Sequence, residues 1–164
     1  MRFTLIDRVL ELEPNVRIVA VKNLSLAEEY LADHFPGFPV MPGVLMLEAM
    51  VQAGAWLVRV SEQFAHSMVV LKEARNIKYA RFVEPGECLR VVVEQAEASA
   101  HEVRLRGQAQ VGEVTAASAR LVLARYNLSE GDPSRAEIDA VVCRQMRELF
   151  ALIDGRDATA RAAV

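Results

Sequence analysis

The strongest constraint on the fold is one long apolar helix followed by a long run of alternating residues. Between Val44 and Glu62, apolar residues occupy all sides of a helical segment, which is typical of a buried helix. From Met68 to Tyr126 apolar and polar residues alternate, and turn residues divide the run into strands at 68–82, 88–97, 101–110 and 114–126. Two strands precede the helix, at 3–12 and 16–23. This order predicts an α+β domain whose antiparallel sheet packs on one central helix.

A stiff loop joins the second strand to the central helix. Ser25-Leu26-Ala27-Glu28 has the form of a capping box and predicts a short helix over 26–31. Residues 33–43 then contain three prolines and two glycines, which restrict the backbone to an irregular loop. Pro42 and Gly43 fit the first turn of the central helix. Backbone N–H groups are unpaired there, and the helix dipole is positive.

The tail after the last strand has the pattern of an amphipathic helix. Gly131-Asp132-Pro133 interrupts the strand, and Ser134-Arg135-Ala136-Glu137 again has the form of a capping box. The pattern predicts a helix over 134–153, with an apolar face of Ile138, Val141, Val142, Leu149 and Ile153. We expect a domain at 1–127 and a C-terminal helical extension at 128–164, packed on the same domain or on a neighbouring subunit.

Composition excludes several classes of protein. The net charge of -3 argues against nucleic-acid binding. A content of 52% hydrophobic and 25% charged residues is ordinary for a soluble globular protein. No stretch reaches the roughly 20 apolar residues needed to cross a bilayer; the longest is Phe38 to Leu47. Cys88 and Cys143 form no metal or redox spacing, so we expect reduced thiols and neither metal nor cofactor. These features predict a cytoplasmic protein that binds no membrane.

Two titratable residues stand out as candidates for chemistry. His34 lies in the stiff loop, and Glu48 lies about one turn inside the apolar helix, where a carboxylate is costly unless it is paired or used. Histidine can act as a base near neutral pH, and burial favours the protonated form of a carboxyl group, which can act as an acid. Such a pair can eliminate water, because one group takes a proton from carbon while the other protonates the leaving hydroxyl. A solvent-facing histidine and a Glu–Gln pair satisfied in the core explain the pattern equally well.

Two further residues complete this candidate site. Gln52 lies four residues after Glu48 on the same helix face and can orient its carboxyl group by a hydrogen bond. The backbone N–H of Gly43, at the helix start, can polarise a thioester carbonyl and stabilise enolate-like charge.

The segment from His34 to Gln52, HFPGFPVMPGVLMLEAMVQ, closely resembles the signature of the 3-hydroxyacyl-acyl-carrier-protein dehydratases of type II fatty acid synthesis. These are hot-dog fold proteins, in which an antiparallel sheet wraps around one long central helix. Asn76 to Leu89 resembles the strand and turn before the family's long β-ribbon, and Asp7-Arg8-Val9 resembles its first strand. The likeness covers about residues 3–126. Two departures are the lack of a Pro-His-Arg-Tyr-Pro-like segment before the first strand and the additional tail from Leu128 onward.

The resemblance implies both an activity and the residues that perform it. It implies elimination of water from 3-hydroxyacyl thioesters on acyl carrier protein to give trans-2-enoyl thioesters, in fatty acid or related lipid biosynthesis. His34 corresponds to the base, Glu48 to the acid, Gly43 to the backbone donor for the thioester carbonyl, and Gln52 to the residue that orients the acid. The isomerising sister branch has Asp at the acid position, so Glu48 favours a plain dehydratase. The family forms homodimers, often stacked into hexamers, in which the His and the acid of each site come from different subunits.

Weaker candidates concern the substrate and its carrier. Four apolar residues could line an acyl tunnel, although core packing is the equivalent structural explanation: Phe38, Met41, Met46 and Met50. A basic run could dock the acidic carrier protein, although a solvated strand face is equally consistent: Lys72, Arg75, Lys78 and Arg81.

Two other functions remain open at this point. A thioesterase is possible because the hot-dog fold hosts both activities. A non-catalytic acyl-binding partner subunit is possible as well, although a binder has no need of a buried acid. Dehydration yields a conjugated enoyl product, whereas hydrolysis yields a free thiol, so one assay separates these alternatives.

Overall fold

Six strands and two helices make up the structure, a computed structural model that describes residues 3–156. In chain order they are β1 (Arg8–Glu13), β2 (Arg17–Asn23), α1 (Gly43–Ser61), β3 (Met68–Tyr79), β4 (Cys88–Ala98), β5 (Glu102–Val111), β6 (Val114–Tyr126) and α2 (Ala136–Ile153). Short 3-10 turns occupy Glu29–Leu31, Leu128–Glu130 and Pro133–Arg135.

All six strands form one antiparallel sheet in the order β1-β2-β4-β5-β6-β3, so β1 and β3 are its edges. One face of the sheet packs on α1. Alternate residues of the central strands are buried there, as Leu89, Val91 and Val93 are on β4. Gly107 of β5 allows close approach, because a Cβ at this position would lie 2.9 Å from Sδ of Met50 on α1. The predicted α+β class, a sheet wrapped around one central helix with an extra C-terminal helix, is confirmed.

The first strand begins later than predicted. Residues 3–7 run outside the sheet, because the backbone N–H of Leu5 donates to Oε1 of Gln52 on α1 at 2.8 Å. The segment joins the sheet only at Asp7, whose N–H donates to the carbonyl of Val21 at 2.9 Å. The other strands begin and end within three residues of their predicted bounds.

The short helix predicted over 26–31 is wrong, because only the three-residue 3-10 turn Glu29–Leu31 forms. The capping box that predicts it is absent. Ser25 Oγ instead accepts from the N–H of Ala27, two residues on, and the carboxylate of Glu28 pairs with Lys22. Each side chain of the expected box is thus engaged by another partner.

Helix α2 begins two residues later than the predicted 134–153, and its apolar face is rotated. Ser134 donates to Asp132 from both its N–H and its hydroxyl, so Asp132 starts a 3-10 turn ahead of the helix. Ile138, expected on the apolar face, is 51% exposed. The residues of α2 that are buried are Asp139, Cys143, Phe150 and Ile153.

The start of α2 is held on the chain by a buried carboxylate. Asp139 accepts from Ser67 Oγ and from the backbone N–H groups of Leu128 and Ser129, the latter two at 2.9 Å. Burial alone would raise the pKa of Asp139, but hydrogen bonds from Ser67, Ser129 and Leu128 outweigh it and hold the pKa well below its ordinary value.

The end of α2 packs on α1 and on β1. Phe150 is buried against Trp56 of α1, with ring centroids 5.6 Å apart, and against Phe64 at 6.1 Å. The N–H of Gly155 then donates to the carbonyl of Val9 at 3.0 Å. The described part of the extension therefore contacts the chain to which it belongs, while the predicted region after Arg156 lies outside the described residues.

Helix α1 corrects the expectation drawn from apolar stretches. By length and composition alone, Gly43–Ser61 could cross a bilayer, whereas the longest apolar stretch expected from the sequence was Phe38 to Leu47, which ends at Glu48. Half of the helix lies buried inside the fold, as expected for the core helix of a wrapped sheet.

Candidate active site

The loop that carries His34 is closed on itself by hydrogen bonds. The backbone N–H of Val40 donates to the carbonyl of His34 at 3.1 Å, and Nδ1 of His34 lies 3.0 Å from the carbonyl of Val40. Within this loop, Phe35 and Phe38 exchange backbone hydrogen bonds of 2.9 and 3.3 Å. A carbonyl acceptor beside Nδ1 assigns the proton to that nitrogen. In the neutral form of this half-buried imidazole, the lone pair is then on Nε2.

A cavity of about 440 Å³ joins this loop to the start of α1. Its walls include His34, Gly43 and the ring of Tyr79 at the end of β3. Tyr79 lies close to the glycine, because a Cβ on Gly43 would make a tight contact of 3.1 Å with the tyrosine ring. The N–H of Gly43 is in the first helical turn and bonds to no acceptor within residues 3–156, so it can bind a negatively polarised oxygen.

Glu48 and Gln52 form a hydrogen-bonded pair on another face of α1. The amide Nε2–H of Gln52 donates to Oε1 of Glu48 at 2.9 Å and to the carbonyl of Phe3 at 3.2 Å. Its own Oε1 accepts from Leu5, so three bonds fix the amide and its orientation. The second carboxyl oxygen of half-buried Glu48 is not engaged by Gln52 and can carry the acidic proton.

Within one chain His34 and Glu48 do not share a cavity. Glu48 and Gln52 line a second, mainly apolar space of about 460 Å³, which has no lining residue in common with the cavity of His34. Strand β3 connects the two, since Val69, Val70 and Leu71 line the space beside Glu48 while Tyr79 lines the space beside His34. The chain on its own therefore keeps these two candidate residues in separate cavities, each of which we call a candidate half-site.

The unpaired edge of β3 and its surroundings expose many apolar side chains. Leu71, Ile77 and Tyr79 of the strand are 38% to 49% exposed. Around the His34 cavity the exposed apolar residues are Phe35, Phe38, Val44 and Phe82. Exposed apolar side chains on an edge strand, beside such a cluster, are typical of a surface that is covered by another chain.

The four tunnel candidates occupy three different environments. Met41 and Met46 are buried and line the His34 cavity. Met50 is fully buried under Gly107 and lines neither half-site. Phe38 is 47% exposed and meets Phe82 edge-on, with ring centroids 5.8 Å apart.

The basic run is largely neutralised by acidic neighbours. Lys72 pairs with Glu102, Arg75 with Glu73, and Arg81 with Glu87. Lys78 is exposed and forms no ion pair within the described residues. Arg81 also lines the His34 cavity, which makes it the member of this set closest to the candidate chemistry.

Three residues around the half-sites were missed by the sequence analysis. Tyr79 covers Gly43, and Met146 of α2 lines the space beside Glu48 together with Leu149. Arg59 lines the same space and donates to the carbonyl of His66 at 3.1 Å; burial lowers the pKa of its guanidinium from the ordinary value. Met146 could have been found, because it lies three residues before Leu149, on the same helix face.

The wrapped sheet and its single central helix define the class of the protein, which is a hot-dog fold protein. The dehydratase heterocomplex ApeI:P from Xenorhabdus doucetiae is similar, with a TM-score of 0.64 over 77% of this chain and 86% of that chain, at 16% identity. The acetyl-CoA-bound smu.793 from Streptococcus mutans UA159 has a TM-score of 0.60 over 77% of this chain and 94% of that chain, at 13% identity. At these identities the likeness shows the fold.

A FabA-like domain model matches residues 1–120, and the chain therefore belongs to the FabA-like family. The curated 3-hydroxyacyl-(acyl-carrier-protein) dehydratase FabZ of Symbiobacterium thermophilum is 42% identical over 133 residues, 81% of this chain and 94% of that protein. The FabZ of Pelotomaculum thermopropionicum is 42% identical over 122 residues, 74% of this chain and 87% of that protein.

Proposed function

We propose that this protein is a hydro-lyase that removes water from 3-hydroxyacyl thioesters carried on acyl carrier protein and yields trans-2-enoyl thioesters. The 42% identity to two proteins named as FabZ dehydratases supports this reaction, and we assign it to the dehydration step of fatty acid or related lipid biosynthesis. Free Cys88 and Cys143 are consistent with a cytoplasmic enzyme.

One observation carries the assignment of catalytic residues. His34 lines one cavity together with Gly43, and Glu48 lines another together with Gln52. Within one chain the two cavities are separate. The edge strand β3 runs from the Glu48 cavity to the His34 cavity. Antiparallel pairing of β3 with a second copy brings the Tyr79 end of one strand beside the Val69 end of the other. This pairing completes two sites, each with His34 from one subunit and Glu48 from the other.

In the proposed reaction His34 is the base. Its Nδ1–H donates to Val40, so Nε2 takes the proton from C2 of the substrate. The C2–H electrons form the new double bond, while the C3–O bond breaks. The thioester carbonyl oxygen gains negative charge as C2 loses its proton, and the N–H of Gly43 at the positive end of α1 stabilises that charge.

Glu48 supplies the proton that turns the leaving hydroxyl into water. Gln52 holds one carboxyl oxygen at 2.9 Å and leaves the other directed to the substrate. After the product and the water leave, the proton gained by His34 passes through solvent to the carboxylate of Glu48, and both groups regain their starting forms.

For the carrier, the proposed docking surface is the rim of the His34 cavity. Arg81 lies at this rim. Exposed Lys78 lines a separate depression with Val92 and Arg106, so Arg81 is the member of the basic run that we assign to docking. An acidic carrier would bring its thioester to this opening. Homodimers complete the sites, and a trimer of dimers is compatible with them.

The test is an assay of the purified protein with 3-hydroxyacyl thioesters on carrier protein. We expect the absorbance of a conjugated enoyl thioester to rise without release of free thiol. Thiol release without enoyl product would replace this proposal with a thioesterase. Stoichiometric binding with neither product would replace it with an acyl-binding partner subunit.

A further inference from the structure

Helix α2 forms one wall of the apolar space beside Glu48. Met146 and Leu149, three residues apart on one helix face, border that space together with Ala55 of α1 and Val70 of β3. The FabA-like domain model ends at residue 120, and α2 begins at Ala136. This wall is therefore outside the part of the chain that the family model matches.

The space is lined mainly by apolar residues and follows one face of α1, with Glu48 and Gln52 near the start of that face and Arg59 further along it. Eleven residues separate Glu48 from Arg59, which is about 16 Å at the helical rise of 1.5 Å per residue. Arg59 is tied by its guanidinium to the carbonyls of His66 and Ser67, at 3.1 and 3.3 Å. The lining thus suits a chain whose reacting end lies at Glu48 and whose remainder is hydrocarbon.

The α2 wall is anchored on both sides of the two lining residues. Asp139 binds Ser67 and two backbone N–H groups at the start of the helix, and Phe150 packs on Trp56 near its end. Between them, Arg147 donates to the carbonyl of Gln63 at 3.1 Å. A helix held in this way is a fixed boundary, so side-chain size at its inner face sets the volume behind Glu48.

We propose that Met146 and Leu149 select the length of the acyl chain that the enzyme accepts, by closing the hydrocarbon end of the substrate pocket. This proposal rests on the proposed function, since it takes Glu48 as the acid at the mouth of that pocket. The occupant is the acyl chain of the substrate itself, because the apolar space opens directly onto Glu48 and Gln52.

The experiment compares kcat/KM for a short, a medium and a long 3-hydroxyacyl thioester on the full chain. Met146→Ala and Leu149→Ala should each raise the long-to-short ratio by about tenfold or more, because one methylene in an apolar pocket changes discrimination by roughly 10- to 200-fold. Leu149→Phe should shift the ratio in the opposite direction. The matched control is Leu152→Ala on the solvent side of α2, where the side chain is 75% exposed.

The outcomes distinguish a failure of this inference from a failure of the proposed dehydratase function. If Met146→Ala, Leu149→Ala and Leu149→Phe all had the same long-to-short ratio of kcat/KM as Leu152→Ala, the role of α2 would be overturned while the dehydratase assignment would stand. Absence of dehydration by the wild-type chain at every length would overturn the proposed function instead. Circular dichroism of Leu149→Phe and Leu149→Ala at the assay temperature verifies that the ratios compare folded proteins.

Discussion

The side-chain amide of Gln52 donates to Oε1 of Glu48 at 2.9 Å while its own oxygen accepts from the backbone of Leu5 at 2.8 Å. The N-terminal segment thus fixes the amide, and the amide fixes one oxygen of the carboxyl group. A carboxyl group held at one oxygen presents the other in a defined direction, which is the arrangement that proton donation to a bound hydroxyl requires.

Replacement of the proposed acid should remove dehydration and keep the fold. Glu48→Gln is near-isosteric and retains an acceptor for the Gln52 amide, so its melting temperature should stay close to that of the wild type. It has no acidic proton, and kcat should fall by at least about a hundredfold, the usual contribution of a general acid. Steady-state dehydration and thermal melts measure the two effects; wild-type turnover would refute the assignment.

Loss of the orienting amide should affect both stability and turnover. In Gln52→Leu the N–H of Leu5 loses its acceptor, which costs about 1–3 kcal/mol of unfolding free energy. Glu48 loses its donor at the same time, so kcat should fall while KM changes little. Gln145→Leu, at an exposed position of α2, is the matched control. Equal kcat values for the two variants would show that Gln52 does not orient the acid.

The sequence predicted those parts of the fold that depend on local periodicity. The strand at 114–126 has its predicted bounds, and α1 begins and ends within one residue of Val44 and Glu62. The capping box at Ser25 failed because Lys22, on the preceding strand, binds the carboxylate of Glu28. Alternative partners of this kind arise from tertiary packing, which no local pattern records.

The candidate site could likewise be predicted from the sequence only in part. The pairing of Glu48 with Gln52 follows from helical spacing and was predicted. The contact of Gln52 with Leu5 joins residues 47 positions apart, so no periodicity indicates it. No periodicity indicates the position of α2 beside Glu48 either, because the path of the chain from β6 decides which residues of that helix reach α1.

Two inactive variants should restore activity when their subunits mix. His34→Ala retains Glu48, and Glu48→Gln retains His34, so a hybrid dimer contains one intact site if each site draws on both subunits. Random exchange then gives up to about a quarter of wild-type activity. Differently tagged variants, co-purified after mixing, verify exchange, and each variant alone is the control. No recovery despite confirmed exchange would mean that each site lies within one chain.

Acid should weaken the attachment of α2. The pKa of Asp139 is lowered in the folded chain, so its contribution is fully present above the ordinary aspartate value of about 3.9. As the pH falls from about 5 through that value, the unfolded chain takes up the proton first and the folded state loses stability. Asp139→Asn should be less stable than the wild type at neutral pH and should lose less stability on acidification.

Urea denaturation at a series of pH values measures this effect, and the exposed Asp33→Asn is the matched control. If Asp139→Asn and Asp33→Asn followed the same pH profile, Asp139 would not be the group that links acid to the stability of α2.

The packing of Phe150 should account for much of the attachment of α2. Its ring is 7% exposed and lies against Trp56 and Phe64. Phe150→Ala should lower the free energy of unfolding by about 3–5 kcal/mol, as for other buried aromatic residues, and the melting temperature by roughly 10 °C. Leu152→Ala, two residues from it on the opposite side of the helix and 75% exposed, should stay within about 0.5 kcal/mol of the wild type. Because Phe150 lines neither half-site, dehydration of a short substrate well below the melting temperature should persist in both variants. Equal melting temperatures for the two variants would show that α2 does not dock on α1 through this ring.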